Sequence, residues 1–133
     1  MPIRYLLDTN TCSYIIKGNV PQTHQRLLRA EMAEVGISTV TEAELRFGVA
    51  RMPQAPRLAV AVDEFLVRVE ILPWDSECAR HYAELRASLD RAGAPMGNLD
   101  MMIAAQALAA DATLVTGDRV FQRVKGLKVE DWG

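Results

Sequence analysis

With 133 residues, half of them hydrophobic, the chain is long enough to bury a core and is expected to form one domain over residues 1–133. Its net charge of −2, from 15 basic and 17 acidic side chains, lacks the basic excess of most nucleic-acid binders, but does not exclude a nuclease that gathers its acids around cations. No apolar run reaches the roughly 18 residues of a membrane span and no secretory h-region opens the chain, so cytoplasmic residence without a membrane contact is the default expectation.

Five short strands are predicted in chain order: Ile3–Leu7, Val35–Ser38, Val69–Leu72, Thr113–Thr116 and Lys128–Val129. Those at Ile3, Val69 and Thr113 are continuous and apolar, as in a parallel sheet covered on both faces. Helical patterns fill the intervals. Thr9–Lys17 comes first, then Pro21–Ala33, with its proline in the first turn. Thr41–Arg51 and Pro56–Val67 are split by the breaker Met52-Pro53-Gln54-Ala55-Pro56. Ser76–Ala92 is long and amphipathic, with Tyr82, Leu85 and Leu89 on one side. After the loop Gly93-Ala94-Pro95-Met96-Gly97 comes Asn98–Ala110, and a short helix begins near Asp118. This alternation predicts a three-layer α/β/α domain around a mainly parallel sheet, with no internal repeat or linker.

Four carboxylates fall at comparable boundaries, and each has a structural alternative. Asp8 ends the first strand, where it could equally cap the helix from Thr9. Glu44 lies in Thr41-x-x-Glu44, which fits a capping box, and Glu42 competes with it as the functional acid. Asp100 opens a helix that is apolar nearly all round, and with Asn98 available as its cap it needs another reason to be there. Asp118 follows the strand end and turn Thr116-Gly117, again as cap or ligand. If the strands are parallel, all four meet at the carboxyl edge of the sheet, where ligands bind in α/β folds. At about 5 Å apart, each charged pair would repel by roughly 3 kcal/mol at an effective dielectric of 20, so such a cluster requires protonation or a cation. Oxygen donors alone suit Mg²⁺ or Mn²⁺, and such a site suits metal-assisted phosphoryl displacement.

Other centres are weaker. Cys12 and Cys78 read as small core residues, and His24 and His81 as surface or helix-face residues. No phosphate-binding glycine loop or nucleophile elbow is present. A haloacid-dehalogenase-type phosphotransferase would want a second acid where this chain has Asn10.

On these residues the chain resembles the PIN-domain ribonucleases, and within them the VapC toxins of bacterial toxin–antitoxin pairs. The resemblance is carried by Tyr5-Leu6-Leu7-Asp8-Thr9-Asn10, by Ile37 through Val49 with its Ala43-Glu44-Leu45 triplet, by Gly93 through Ala104, by Leu114-Val115-Thr116-Gly117-Asp118, and by the ending Gly126 through Trp132. It covers essentially the whole length. It implies that Glu44, not Glu42, is the functional acid, and that Asp8 and Asp100 hold the principal ion. Glu44 would then manage the attacking water, and Asp118, in a position often filled by Asn and a loop shorter than in many members, would assist a second ion. Thr9, Asn10 and Thr116 match positions that orient the acids.

The resemblance further implies a Mg²⁺- or Mn²⁺-dependent endoribonuclease acting on tRNA or rRNA. It implies a homodimer inhibited by a VapB-type antitoxin, in a higher assembly that reaches operator DNA only through the antitoxin. Arg119 and Arg123 are candidate phosphate contacts, although a solvated helix face also accounts for them. The alternative of another class is a non-catalytic dimeric module that scaffolds a DNA-binding partner, its acids serving only as caps.

Overall fold

In the computed structural model, which describes residues 2–133, the elements run β1 (Tyr5–Leu7), α1 (Thr9–Lys17), α2 (Pro21–Arg29), β2 (Val35–Ser38), α3 (Thr39–Ala50), α4 (Pro56–Arg68), β3 (Glu70–Leu72), α5 (Ser76–Ala92), α6 (Asn98–Ala109), β4 (Thr113–Val115) and β5 (Val129–Glu130). Two 3₁₀ turns, Met32–Glu34 and Arg119–Arg123, precede β2 and follow β4. The five strands form one sheet in the order β3-β2-β1-β4-β5, parallel at every pairing. Sequential strands add outward from β1 to one side and then to the other. The strand order therefore reverses between β1 and β4, which opens a crevice at their carboxyl ends.

The pleat sorts the apolar residues into two layers. Tyr5, Leu7 and Val115 pack with α1 to α4 in a cluster that includes Ile15, Leu27, Val62 and Phe65. Leu6 and Leu114 point the other way, against Leu85 and Leu89 of α5 and Ile103 and Ala107 of α6. Successive side chains of a strand face opposite sides, so a continuous apolar run is what a sheet covered on both faces requires. Trp132 closes the first layer, edge-on to Tyr5 with ring centroids 5.4 Å apart. Cys12 and Cys78 are buried free thiols, as small core residues should be.

Several boundaries differ from expectation for identifiable reasons. Helix α3 starts at Thr39, because Ser38, the last residue of β2, caps it by accepting from the Val40 amide at 2.9 Å. Thr41 is thus inside the helix, and the Thr41-x-x-Glu44 capping box does not form. Gly97, not Asn98, is the N-cap residue of α6, and among the described residues no side chain caps that helix. Helix α2 stops at Arg29, where the chain turns extended at Ala30 to lead into β2. Val69 ends α4 and serves the core instead of the ladder, so β3 begins at Glu70. The β5 ladder is Val129–Glu130, and the short helix after Asp118 is 3₁₀.

Candidate functional site

Each acid reaches the carboxyl edge of the sheet by a different local device. Asp8 is the first residue past β1 and is 4 % exposed; its Oδ1 accepts from the Thr11 amide at 2.8 Å and so caps α1. Its own amide donates to the Val115 carbonyl at 3.1 Å, which fastens the residue to the end of β4. Thr11 reinforces this seam, its hydroxyl donating to the same carbonyl at 3.1 Å.

Glu44 stands half-buried on α3, and its Oε1 accepts from the Thr9 hydroxyl at 2.6 Å. The Thr41 hydroxyl lies 3.2 Å from that of Thr9. A hydroxyl has one hydrogen to give, so with Thr9 committed to Glu44, Thr41 donates back to Thr9. The result is a short relay from the buried Thr41 to the carboxylate. Glu42 has a different occupation: it pairs with Arg46 at 2.9 Å on the outer face of the same helix.

Asp118 is exposed and caps the second 3₁₀ turn, its Oδ1 accepting from the Val120 amide at 3.0 Å. Among the described residues Thr116 forms no hydrogen bond to a carboxylate; its hydroxyl accepts from the Asp118 amide at 3.0 Å and so holds the backbone of the acid. Asn10 is exposed, and among the described residues it forms no side-chain hydrogen bond to any of the acids. Arg123 donates to the Pro95 carbonyl, bracing the turn against the loop that leads into α6, while Arg119 stays exposed.

Asp100, half-buried in the first turn of α6, registers all the others. Its carboxyl is pushed above the ordinary aspartate range, first by burial and then by the charges of Asp118, Glu44 and Asp8 in that order. Cys12 reports the same field from beneath: its thiol is raised well above its usual value by burial, with the charge of Asp8 next and a smaller contribution from Glu44. Cys12 is fully buried beneath this edge and packs in the core, away from the solvent side of the acids. The donors at this edge are therefore carboxylate and hydroxyl oxygens.

Among the described residues, no three Asp, Glu, His or Cys side chains are drawn together as a closed metal cage. The donor set nevertheless fits a hard divalent cation. Mg²⁺ is ordinarily held by one or two carboxylates, several waters and the oxygens of a phosphate, and not by an all-protein shell. Burial and the three neighbouring acids that disfavour the charge on Asp100 give such a cation its reason to enter. A cleft of about 700 Å³ opens beside these residues, bordered by Thr9 and Glu44 and lined with Val40, Phe47, Met52 and Leu99. Phe47 is 65 % exposed there, far more than a large apolar side chain prefers.

A PIN-domain profile matches residues 5–127 of the chain. Ribonuclease VapC2 of Rickettsia felis is 37 % identical over 130 residues, covering 96 % of this chain and 97 % of that protein. The tRNA(fMet)-specific endonuclease VapC of Salmonella typhimurium is 35 % identical over 131 residues, or 98 % of each chain. In the crystal structure of VapBC2 from Rickettsia felis bound to a DNA fragment from their promoter, a chain 36 % identical superposes with a TM-score of 0.91 over 98 % of this chain and 100 % of that one.

Proposed function

The chain belongs to the PIN-domain family and is of the VapC type, and from that premise we propose that it is the toxin of a toxin–antitoxin pair, a divalent-metal-dependent endoribonuclease that hydrolyses phosphodiester bonds in RNA. What carries the reading is the convergence of four acids on one edge, Asp8 past β1, Glu44 on α3, Asp100 in the first turn of α6 and Asp118 past β4, with the Asp100 carboxyl raised first by burial and then by the charges of the other three. Helix caps scattered over a surface would not repel one another in this way.

Asp8 and Asp100 would hold the principal ion, with Asp118 serving a second one from the solvent side. When bound, Mg²⁺ or Mn²⁺ polarises the phosphate and lowers the pKa of the attacking water. Glu44 is the group suited to receive the proton of that water. Thr9 occupies its Oε1, which fixes the orientation of the carboxylate and leaves the second oxygen to act as base. Asp8, with one oxygen held by the Thr11 amide, would have the other free for the ion. The exposed side of the site, at Asp118 and Arg119, is where an RNA backbone would enter.

The relatives support the finer terms. The Salmonella protein is named for tRNA(fMet), so a tRNA is the substrate we propose, with rRNA the alternative. VapBC complexes bound to DNA, a promoter fragment in the Rickettsia felis case, support a VapB-type antitoxin as partner, with operator DNA reached through that antitoxin. The apolar cleft beside Glu44 suits the inhibitory segment of that partner, which would end with a cation near the acids. A homodimer within the larger assembly, a single catalytic domain and a cytoplasmic site of action complete the proposal.

The test is RNA 5′-end mapping after brief expression of the wild type and of Asp8→Asn, paired with cleavage by the purified protein in Mn²⁺ or Mg²⁺. New ends that appear only with the wild type support the reading. Cleavage that survives in Asp8→Asn and Asp100→Asn, or is absent from antitoxin-free protein with either metal, refutes it. In that case the scaffold alternative, in which the acids only cap helices, takes its place.

A further inference from the structure

Between β3 and α5 the chain passes through Leu72-Pro73-Trp74, and the polar groups of these three residues are bonded to two helices that carry acids of the site. Gln106 of α6 donates through Nε2 to the carbonyls of Leu72 and Pro73, both at 3.1 Å. Trp74 donates through its indole Nε1 to the Met102 carbonyl of α6 at 2.9 Å. The Trp74 amide donates to the Thr39 hydroxyl at 3.2 Å, at the first turn of α3. Met102 lies two residues beyond Asp100, and Thr39 five residues before Glu44. The segment is a strap between the helix of Glu44 and the helix of Asp100.

Packing alone does not account for it. Gln106 is 3 % exposed in a helix that is otherwise apolar beyond its first turn, and among the described residues its Oε1 has no hydrogen-bond partner. A leucine or methionine there would fill the space without an unpaired buried oxygen, so the amide at this position costs stability that the strap must justify. The Met102 carbonyl sits inside α6, where a carbonyl ordinarily serves only its own helix. Meanwhile the Trp74 ring is independently seated, edge-on to Tyr82 of α5 with centroids 5.9 Å apart. The ring is thus held by α5 while its N–H reaches α6.

We propose that Trp74 and Gln106 are positioning residues of the nuclease, which set the distance and rotation of α6 relative to α3 and so place Asp100 against Glu44. The inference rests on the nuclease reading given above. Neither residue touches substrate; each acts through the helix that carries an acid. Groups that orient metal-binding residues in this indirect way typically contribute 10- to 100-fold to metal affinity or activity.

Trp74→Phe keeps an aromatic ring for Tyr82 while it removes the donor to Met102; Gln106→Leu keeps the volume and removes both bonds to the strap. Leu27→Val, in the opposite core layer, serves as a control for lost stability. For each protein, kcat and KM are measured on RNA, and Mn²⁺ affinity is measured by calorimetry on the resting protein without RNA, at a temperature where all four are folded. Both strap variants should lose about 10-fold or more in kcat and in Mn²⁺ affinity, with KM for RNA within about twofold of the wild type and Leu27→Val unchanged. Strap variants equal to the wild type in kcat and Mn²⁺ affinity, or a matching loss in Leu27→Val, would overturn the proposal while leaving the nuclease reading intact. A wild type that neither binds Mn²⁺ nor cleaves RNA would instead sink the nuclease reading, and this inference with it.

Discussion

Replacing Asp100 by Asn should raise the stability of the metal-free protein and abolish its response to metal, so that the melting temperatures of variant and wild type cross as Mn²⁺ is added. Burial and the charges of Asp118, Glu44 and Asp8 lift the Asp100 carboxyl in the folded state. A raised acid gives stability that is fully present below its unfolded pKa and lost as pH rises through its folded pKa. At neutral pH the metal-free protein therefore carries the whole penalty. Because the group is only half-buried, solvent screening keeps the gain from removing its charge below about 1 kcal/mol. For 133 residues the unfolding entropy is about 0.28 kcal/mol/K, so that gain is at most about 3–4 °C at neutral pH and vanishes near pH 3. Mn²⁺ at 100 times its dissociation constant should add about 2.7 kcal/mol to the wild type, or about 10 °C, and nothing comparable to the variant. Differential scanning calorimetry at two pH values, with and without Mn²⁺, reads every term. The reasoning is refuted if Asp100→Asn melts lower than the wild type without metal, as loss of a favourable helix-dipole charge would require, or if both proteins gain equally from Mn²⁺.

Thr9→Val removes the hydroxyl bonded to Glu44 and should lower kcat by about 10-fold with the circular dichroism spectrum unchanged, measured in single-turnover cleavage. Ser38→Ala leaves the Val40 amide without its acceptor at a fully buried site and should cost about 1 kcal/mol in urea denaturation. The Asp75 carboxyl is held below its ordinary value by the Cys78 amide, so its contribution to stability is present above its unfolded pKa and is lost as pH falls through its folded one. Urea midpoints taken between about pH 6 and about pH 3 should fall less steeply in Asp75→Asn, which can still cap α5.

The strands and the carboxyl edge were legible because their signals are local: Leu6 and Leu7 are apolar in succession, and Asp8 follows at once. The same holds for Leu114-Val115 and Asp118. The roles at helix starts were not, because capping is a competition that neighbours decide. Ser38 reaches the Val40 amide first, so Thr41 is drawn inside α3, and Glu44, released from a cap, turns to Thr9. Between Glu42 and Glu44 the residues alone left the choice open and the family resemblance pointed to Glu44; in the fold Glu42 is paired with Arg46, four positions along the same helix. Gln106 was visible as a polar residue in an apolar helix, but its partners, Leu72 and Pro73, lie 34 and 33 positions away. No pattern along the chain brings them together.

The seam between β1 and β4 has a consequence for synthesis. Thr11 and the Val115 carbonyl it binds are 104 positions apart, so the central pairing of the sheet cannot close until nearly the whole chain has left the ribosome. At about 5–20 residues per second, Asp8 emerges roughly 5 to 20 seconds before the strand that seats Asp118. Asp100 and Asp118 both belong to the last quarter of the polypeptide to be made. On the proposed reading, a nascent or prematurely ended chain would carry Asp8 and Glu44 without Asp100 and Asp118, and so would be inert toward the RNA of the machine that is making it.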